Sequence, residues 1–194
     1  MFLSLVAGLG NPGRQYEHTR HNLGWVVLDS FAQKHGLAWK PAASFNADVA
    51  RWDMDGGRTR WLLKPQTFMN DSGRSIAALA RFYKIAPAAV VAVYDDLNID
   101  LGLVKISTSG SAGGHNGVAS LLEHLGNGFA RYRLGIGPKD PPQMDMADFV
   151  LGKFNSEQQL LVNQKLEHYV SGLDLLLSRG IAPAMNQLNR RDPK

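Results

Sequence analysis

Short apolar runs alternate with amphipathic segments along the chain, and this alternation predicts the order of strands and helices. Runs typical of buried strands occupy residues 3–7, 47–52, 59–64, 90–94, 103–107 and 132–137. Apolar residues at helical spacing predict helices over residues 23–35, 73–83 and 117–125. Strands interleaved with helices indicate an α/β domain with a central sheet that is largely parallel or mixed.

The C-terminal part of the chain predicts one long helix followed by a short one. Ser156, with Gln159 three residues later, matches a capping box, and apolar residues at helical spacing follow as far as Leu176. We expect Gly180 to end this helix and a final short helix to cover residues 184–189. The loosest stretch is 138–145, which contains three prolines.

Composition limits the class of protein without naming a function. A chain of 194 residues with 44% hydrophobic residues is long enough for one well-packed domain, so we expect a single domain over residues 1–194. The absence of cysteine excludes disulfides, thiolate metal sites and a cysteine nucleophile, and it fits a reducing interior. The net charge of +4 is compatible with an anionic partner.

The N-terminal apolar run predicts neither a signal peptide nor a membrane span. It is short, lacks a basic leader and meets glycine and proline at once. We therefore expect a cytoplasmic protein that does not contact membranes. No obvious apolar interface helix is present, which favours a monomer.

Residues 8–13 read GLGNPG, which has the glycine spacing of a dinucleotide-binding turn but carries a proline inside it. In such a turn the last glycines open a helix whose free N–H groups hold a pyrophosphate. Pro12 has no N–H and disfavours helical backbone at Asn11, so we expect the chain to continue as a loop. The carboxamide of Asn11 then lies on a stiff turn, with His21 ten residues further on. This arrangement predicts a reactive site rather than a nucleotide cradle.

Three other segments, residues 67–70, 94–96 and 113–117, also place polar side chains just after apolar runs. In an open α/β sheet, ligands collect beyond the carboxyl ends of the strands, so we expect these loops to converge on the Asn11 loop. The combined set contains carboxamides, imidazoles and a carboxylate, with no thiol and no obvious serine nucleophile. It favours a general base acting on water, while uncharged carboxamides suit a peptide backbone whose side chains vary.

Each of these residues also has a simpler structural explanation when taken alone. An asparagine in a glycine-rich loop is often a turn residue, and an isolated histidine is more often structural than catalytic. Asp95 and Asp96 can cap a helix or face solvent, and the glycines of 113–117 can form a hinge. The basic residues of the last predicted strands, Lys105, Arg131 and Arg133, can be ordinary strand residues that face water.

Other enzyme classes lack the residues that they require. No acid closes a second strand about 20 residues further on, as a dinucleotide site requires, and Arg14 and Gln15 replace the Lys and Ser/Thr of a P-loop. The chain has no G-x-S-x-G for a serine hydrolase and no H-E-x-x-H, so His18 with His21 is a weak metal motif. A binding protein for tRNA or the ribosome that has lost activity is the non-enzymatic alternative.

Taken together, the motifs resemble the bacterial peptidyl-tRNA hydrolase family. The matching segments occur in the family's order over nearly the whole chain, at residues 8–13 with Tyr16, then 19–24, 64–73, 95–97, 110–117, 133–137 and 149–154. The resemblance implies a twisted, mixed and largely parallel sheet flanked by helices. It also implies an esterase that cleaves the bond between a peptide and the terminal ribose of tRNA, releasing both for recycling in translation. It implies no metal and no organic cofactor.

The resemblance assigns the chemical roles to three residues. His21 matches the catalytic histidine, Asp95 matches the carboxylate that supports it, and Asn11 matches the asparagine close to the attacked carbonyl. An imidazole can deprotonate water and return the proton to the leaving alkoxide, and a carboxylate on its other nitrogen fixes the tautomer. An amide N–H aimed at the oxyanion suits Asn11, and Asn116 is the competing candidate for that role.

The substrate contacts implied by the resemblance are less complete. Asn70 and Asn116 match the asparagines that bind the peptide. Tyr16, Phe68 and Met69 match the residues that form the walls of the family's crevice, and His115, beside Asn116, is a further candidate contact to the substrate. Lys105 and Arg133 are the candidate contacts to the phosphates of the acceptor stem. The chain departs from the family where further basic residues are common, since it carries Ser107, Thr108 and Ala119 there, and Asp96 and Asn98 stand for the more usual Glu and Asp.

Overall fold

A seven-stranded mixed sheet forms the centre of the computed structural model, which describes residues 2–190. The strands follow the spatial order β2-β3-β4-β1-β5-β7-β6. Their bounds are β1 Leu5–Gly8, β2 Lys40–Ala42, β3 Ala47–Met54, β4 Arg58–Pro65, β5 Val90–Asp100, β6 Val104–Ser107 and β7 Ala130–Gly137. The four central strands β4, β1, β5 and β7 are parallel, and β2, β3 and β6 add antiparallel pairs at the edges. The predicted α/β fold with a mixed, largely parallel sheet is confirmed.

Helices cover both faces of this sheet. Their bounds are α1 Leu23–Lys34, α2 Ser72–Phe82, α3 Asn116–His124, α4 Met146–Leu151, α5 Ser156–Arg179 and α6 Ile181–Leu188. Because side chains alternate along a strand, Val91 and Val93 of β5 join a core with α1 and α5. Ala92 and Tyr94 point to the other core, which is built with α2 and α3. Burial on both faces explains why the central strands read as continuous apolar runs.

The start of α1 lies unusually close to the sheet. A Cβ atom at Gly24 would lie 2.4 Å from the carbonyl oxygen of Val93, so only glycine allows this approach. The short 3₁₀ turn Arg20–Asn22 directly precedes α1. The tight packing at Gly24 therefore holds His21 near the end of β5.

Most predicted elements are present, with differences at their ends. The strand predicted to end at residue 94 continues to Asp100, because β5 stays paired with β7 across an irregularity in register. The short edge strand β2 and helix α4 were not predicted, and both are shorter than the windows over which periodicity is visible. No helix among residues 2–190 is long and apolar enough to span a membrane.

The C-terminal capping prediction was wrong by one residue. Asn155, rather than Ser156, caps α5, and its partner is Gln158 rather than Gln159. Asparagine accepts backbone N–H bonds as well as serine at this position, and the extended backbone at residue 155 leaves its side chain free to do so. Gly180 ends α5 as predicted, and α6 begins directly after it at Ile181 rather than at residue 184. The single domain predicted over 1–194 includes Met1 and residues 191–194, which lie outside the described residues.

Candidate active site

A cleft of about 810 Å³ opens beyond the carboxyl ends of the parallel strands. It is lined by residues from the loop after β1, the loop after β4, the end of β5 and the loop before α3. Ten of the predicted site residues line it: Asn11, Tyr16, His21, Phe68, Met69, Asn70, Asp95, His115, Asn116 and Arg133. Lys105 lies on β6 and is not part of the lining. The structure therefore brings the four predicted segments together, although residues 94–96 lie within β5 and not in a loop, and it leaves one predicted residue outside.

His21 and Asp95 form a buried pair at the base of this cleft. His21 Nδ1 lies 3.0 Å from Asp95 Oδ1 and 3.1 Å from Oδ2. The imidazole is 6% exposed and the aspartate 2% exposed. With the Nδ1 proton donated to the carboxylate, Nε2 carries the lone pair that can accept a proton. The geometry thus suits a general base whose tautomer is set by a carboxylate.

A second imidazole contacts the same carboxylate oxygen. His115 Nε2 lies 3.1 Å from Asp95 Oδ1, and the rings of His21 and His115 are 4.7 Å apart. Burial by itself would raise the pKa of Asp95, but the two imidazoles and their hydrogen bonds outweigh it. They hold the pKa of Asp95 well below its usual range, so the carboxylate is ionised throughout the neutral range.

The backbone and side chain of Asn11 are both fixed by hydrogen bonds. Asn11 N–H donates to Asn22 Oδ1 at 2.9 Å, and Asn22 Nδ2 donates to the Asn11 carbonyl at 2.9 Å. The Asn11 Oδ1 atom accepts from the Met69 N–H at 2.7 Å. Because the oxygen of this carboxamide is engaged, its Nδ2 donors are the end left for a substrate. Pro12 follows in a loop that forms no helix before a three-residue 3₁₀ turn at Arg14–Tyr16.

Polar and apolar side chains together form the wall of the cleft beside His21, Asp95 and Asn11. Asn70 and Asn116 are exposed residues of the lining, and Tyr16 contacts Phe68 edge-on at 6.2 Å between ring centroids. Phe68 is 57% exposed, whereas Met69 is buried. A Cβ atom at Gly117 would lie 2.5 Å from Met69 Sδ, so glycine there lets the start of α3 reach the cleft. The wall offers amide groups and apolar surface, and both suit a peptide.

The basic residues at the far side of the cleft differ in availability. Arg133 Nε and Nη2 both lie 2.8 Å from Asp96 Oδ2, so the guanidinium is already paired. Lys105 is opposite Arg133 in the β6–β7 ladder and therefore projects from the same face of the sheet. The alternative that Arg131 faces water is wrong, because Arg131 is buried and donates to the carbonyls of Gly110 and Ser111. It fixes the glycine-rich loop before α3.

Several residues that position the site were missed at the level of sequence. Arg20 donates to the Phe149 carbonyl at 3.1 Å and to Gln158 Oε1 at 2.9 Å, and its own N–H donates to the Gly152 carbonyl. These bonds tie the turn that carries His21 to the segment joining α4 and α5. Arg20 and the segment 149–154 both lie in motifs that match the family, but the sequence analysis gave neither a role. Their presence in those motifs was the signal that could have identified them. Helix α4 also adds apolar residues to the cleft, namely Met146, Val150 and Leu151.

The histidine pair and Asp95 also place three possible metal ligands within 4.8 Å of one another. Their hydrogen bonds argue against that use. Both nitrogens of His115 are occupied, since Nδ1 accepts from the N–H groups of Gly117 and Val118 and Nε2 contacts Asp95. A metal ion would have to displace the cap of α3 or the bond to the carboxylate. The absence of a metal and of an organic cofactor from the reaction stays a prediction.

Comparison with known proteins finds similarity to one family over nearly the whole chain. The sequence model of the peptidyl-tRNA hydrolase family matches residues 5–194. A peptidyl-tRNA hydrolase of Gloeobacter violaceus is 41% identical over 98% of this chain and 96% of its own length. One from Anaeromyxobacter sp. is 44% identical over 97% of each chain. The crystal structure of peptidyl-tRNA hydrolase from Acinetobacter baumannii superposes with a TM-score of 0.89 at 37% identity, covering 99% of this chain and 97% of that one. The chain therefore belongs to the peptidyl-tRNA hydrolase family.

Proposed function

We propose that the cleft hydrolyses the ester between a peptide and the terminal ribose of tRNA, with His21 as the general base. The observation that carries the proposal is the buried contact of His21 Nδ1 with Asp95, at 3.0 Å. It leaves Nε2 as the nitrogen able to take a proton from water. Family membership supports this substrate, and the arrangement of the side chains supports the proposed roles of the residues.

The reaction needs only one base, because an ester carbonyl is more electrophilic than that of an amide and the ribose oxygen leaves as an alkoxide. Nε2 of His21 accepts a proton from water as its oxygen attacks the ester carbonyl. The same proton then passes to the ribose oxygen as the carbon–oxygen bond breaks. A base placed in this way gives about 10²- to 10⁴-fold acceleration. The negative charge of Asp95 stabilises the imidazolium that exists between the two proton transfers.

Asn11 is the proposed oxyanion donor. Its Oδ1 is held by the Met69 N–H, so its Nδ2 protons are directed away from that contact. One such preorganised donor is worth roughly 10²- to 10³-fold in rate. Asn70 and Asn116 are proposed to bind the peptide backbone, with Tyr16 and Phe68 packing along the peptide. This division gives tolerance of peptide sequence, because carboxamides pair with backbone groups common to all residues.

The tRNA is proposed to lie on the side of the cleft that carries Arg133, with the phosphates of the acceptor stem on the basic residues. Arg133 would exchange Asp96 for a phosphate, and Lys105 on the same face of the sheet would extend the contact. We propose a monomer as the active form. Because the substrate is a product of translation, we propose the cytoplasm as the site of action.

The test is hydrolysis of a tRNA that carries an N-blocked dipeptide. The purified protein should release free tRNA and free peptide with many turnovers. A protein that binds this tRNA tightly and releases nothing would instead be the binding protein that sequence alone left open. Raising the salt concentration should weaken substrate affinity, with log K falling by about 0.7 to 0.9 per phosphate contact per log unit of salt. A flat salt dependence would reject the phosphate contacts while leaving the hydrolysis intact.

A further inference from the structure

His115 uses both of its ring nitrogens inside the protein. Nδ1 accepts the backbone N–H groups of Gly117 and Val118 at 3.1 and 3.3 Å, which makes His115 the N-cap of α3. Nε2 lies 3.1 Å from Asp95 Oδ1. A ring nitrogen that accepts a hydrogen bond carries no proton, so the proton of a neutral His115 is on Nε2 and is donated to Asp95. The tautomer of His115 is therefore fixed by the start of α3.

Among residues 2–190, only the imidazoles of His21 and His115 hydrogen-bond the Asp95 carboxylate. Asp95 is 2% exposed, so water does not solvate the carboxylate in their place. Its Oδ1 atom accepts from His115 on one side and from His21 at 3.0 Å on the other. The rotation of the carboxyl group is thereby set by two imidazoles, one held by helix α3 and the other by the 3₁₀ turn before α1.

We infer that His115 is a positioning residue for the reaction rather than a contact to the substrate. It holds the Asp95 carboxylate in the orientation that His21 requires, and it joins that orientation to the N-terminus of α3, where Asn116 begins the helix. The inference rests on the proposed function, in which Asp95 supports His21. It replaces the expectation that His115 binds substrate, since neither nitrogen of its ring is left for one.

Histidine suits this place because it donates and accepts without charge. The titratable groups in contact with the His115 ring are Asp95 and Tyr94 from β5 and His21 from the 3₁₀ turn before α1. A cation at residue 115 would oppose the imidazolium that forms on His21 during the reaction. It would also turn an N–H toward the two backbone donors of α3 and break the cap.

Two substitutions separate the halves of this role. In His115→Asn, the side-chain oxygen takes the place of Nδ1 and can cap α3, but nothing reaches Asp95. In His115→Gln, the longer side chain carries an amide N–H to about the place of Nε2. His124→Asn is the matched control, because His124 ends the same helix and does not line the cleft.

We expect His115→Asn to lower kcat by about 10- to 100-fold, which corresponds to one lost hydrogen bond to a charged group. KM should stay within about threefold of wild type, because no substrate contact is lost. His115→Gln should recover most of kcat, and His124→Asn should match wild type. A raised KM at unchanged kcat in His115→Asn would overturn the inference and make His115 a substrate contact.

Nitrogen NMR of the histidine rings tests the same inference without any activity. At neutral pH the ring of residue 115 should show the pattern of a neutral imidazole protonated at Nε2. A ring protonated at Nδ1 would overturn the inference even if His115→Asn fails to fold. Failure of the proposed function is distinguishable, because wild type would then release no peptide from tRNA while the NMR pattern is unchanged.

Discussion

Replacing Asp95 by asparagine removes the charge from the centre of the site while keeping its shape. The donor from His115 and the donor from His21 both reach Oδ1, at 3.1 and 3.0 Å, and Oδ2 lies 3.1 Å from His21. An asparagine offers one acceptor and one donor group in the same space. Because α3 fixes the tautomer of His115, the carbonyl oxygen of the new side chain pairs with His115. The amide N–H₂ then faces His21 Nδ1 and favours the tautomer that has no free base at Nε2.

The size of the effect follows from the charge that is lost. At 3.0 Å the full attraction between the carboxylate and an imidazolium is about 5 kcal/mol at an effective dielectric constant of about 20. Since about 1.4 kcal/mol changes a rate tenfold, this attraction sets an upper limit near 10⁴-fold. An amide dipole retains part of it. We therefore expect Asp95→Asn to lower kcat by about 10³- to 10⁴-fold, with KM within about threefold of wild type.

The assay is single-turnover hydrolysis of peptidyl-tRNA, with circular dichroism to confirm the fold. Asp100→Asn is the matched control, because Asp100 lies on the same strand, is exposed and does not line the cleft. It should hydrolyse substrate at the wild-type rate. If Asp95→Asn kept more than a tenth of the wild-type rate, the reasoning from charge and tautomer would be refuted.

Three further changes test other parts of the account. Asn22→Ala removes both hydrogen bonds between the Asn22 side chain and the Asn11 backbone. We expect it to lower the free energy of unfolding by about 2 kcal/mol, to lower Tm by about 4 to 8 °C and to reduce kcat. An unchanged Tm would contradict this role of Asn22. Asp96→Asn releases the guanidinium of Arg133, so KM should fall at low salt and depend more steeply on salt, and a raised KM would show that Asp96 itself aids binding. Burial raises the pKa of Tyr169 to about 12, so the folded state retains the phenol proton that the unfolded chain loses near pH 10. Its contribution to stability is complete below about pH 10 and is lost as the pH rises toward 12; urea unfolding should show that Tyr169→Phe loses less stability than wild type over this range, and equal losses would refute the assignment.

The spacing of apolar residues along the chain predicted most of the strands and helices of this fold. An element is visible in the sequence when it buries one continuous face or both faces in the core. This holds for the strands β1, β3, β4 and β5 and for the helices α1 and α2. Helix α4 was missed because only Phe149 of its six residues is buried. The capping box moved by one residue because Asn155 and Ser156 are both competent caps. Only the backbone conformation decides between them.

The site divides in the same way. His21, Asp95 and Asn11 could be named as candidates because their motifs resemble those of the peptidyl-tRNA hydrolase family. The bracket from Asn22 to Asn11, and the bonds from Arg20 to residues 149–158, could not be predicted. They join segments that are distant in sequence, and asparagine and arginine side chains bind many kinds of partner. The pairing of Arg133 with Asp96 was hidden for the same reason.

The central claim is that His21 takes the proton from the attacking water, and His21→Asn tests it most directly. Binding of peptidyl-tRNA and its single-turnover hydrolysis should be measured on the same sample, with His18→Asn as the control. His18 is exposed and has φ 64°, a backbone conformation that asparagine tolerates. We expect His21→Asn to bind with a Kd within about threefold of wild type and to hydrolyse at least about 10²-fold more slowly, since the general base is lost. Hydrolysis by His21→Asn at a rate close to that of wild type and His18→Asn would contradict the account.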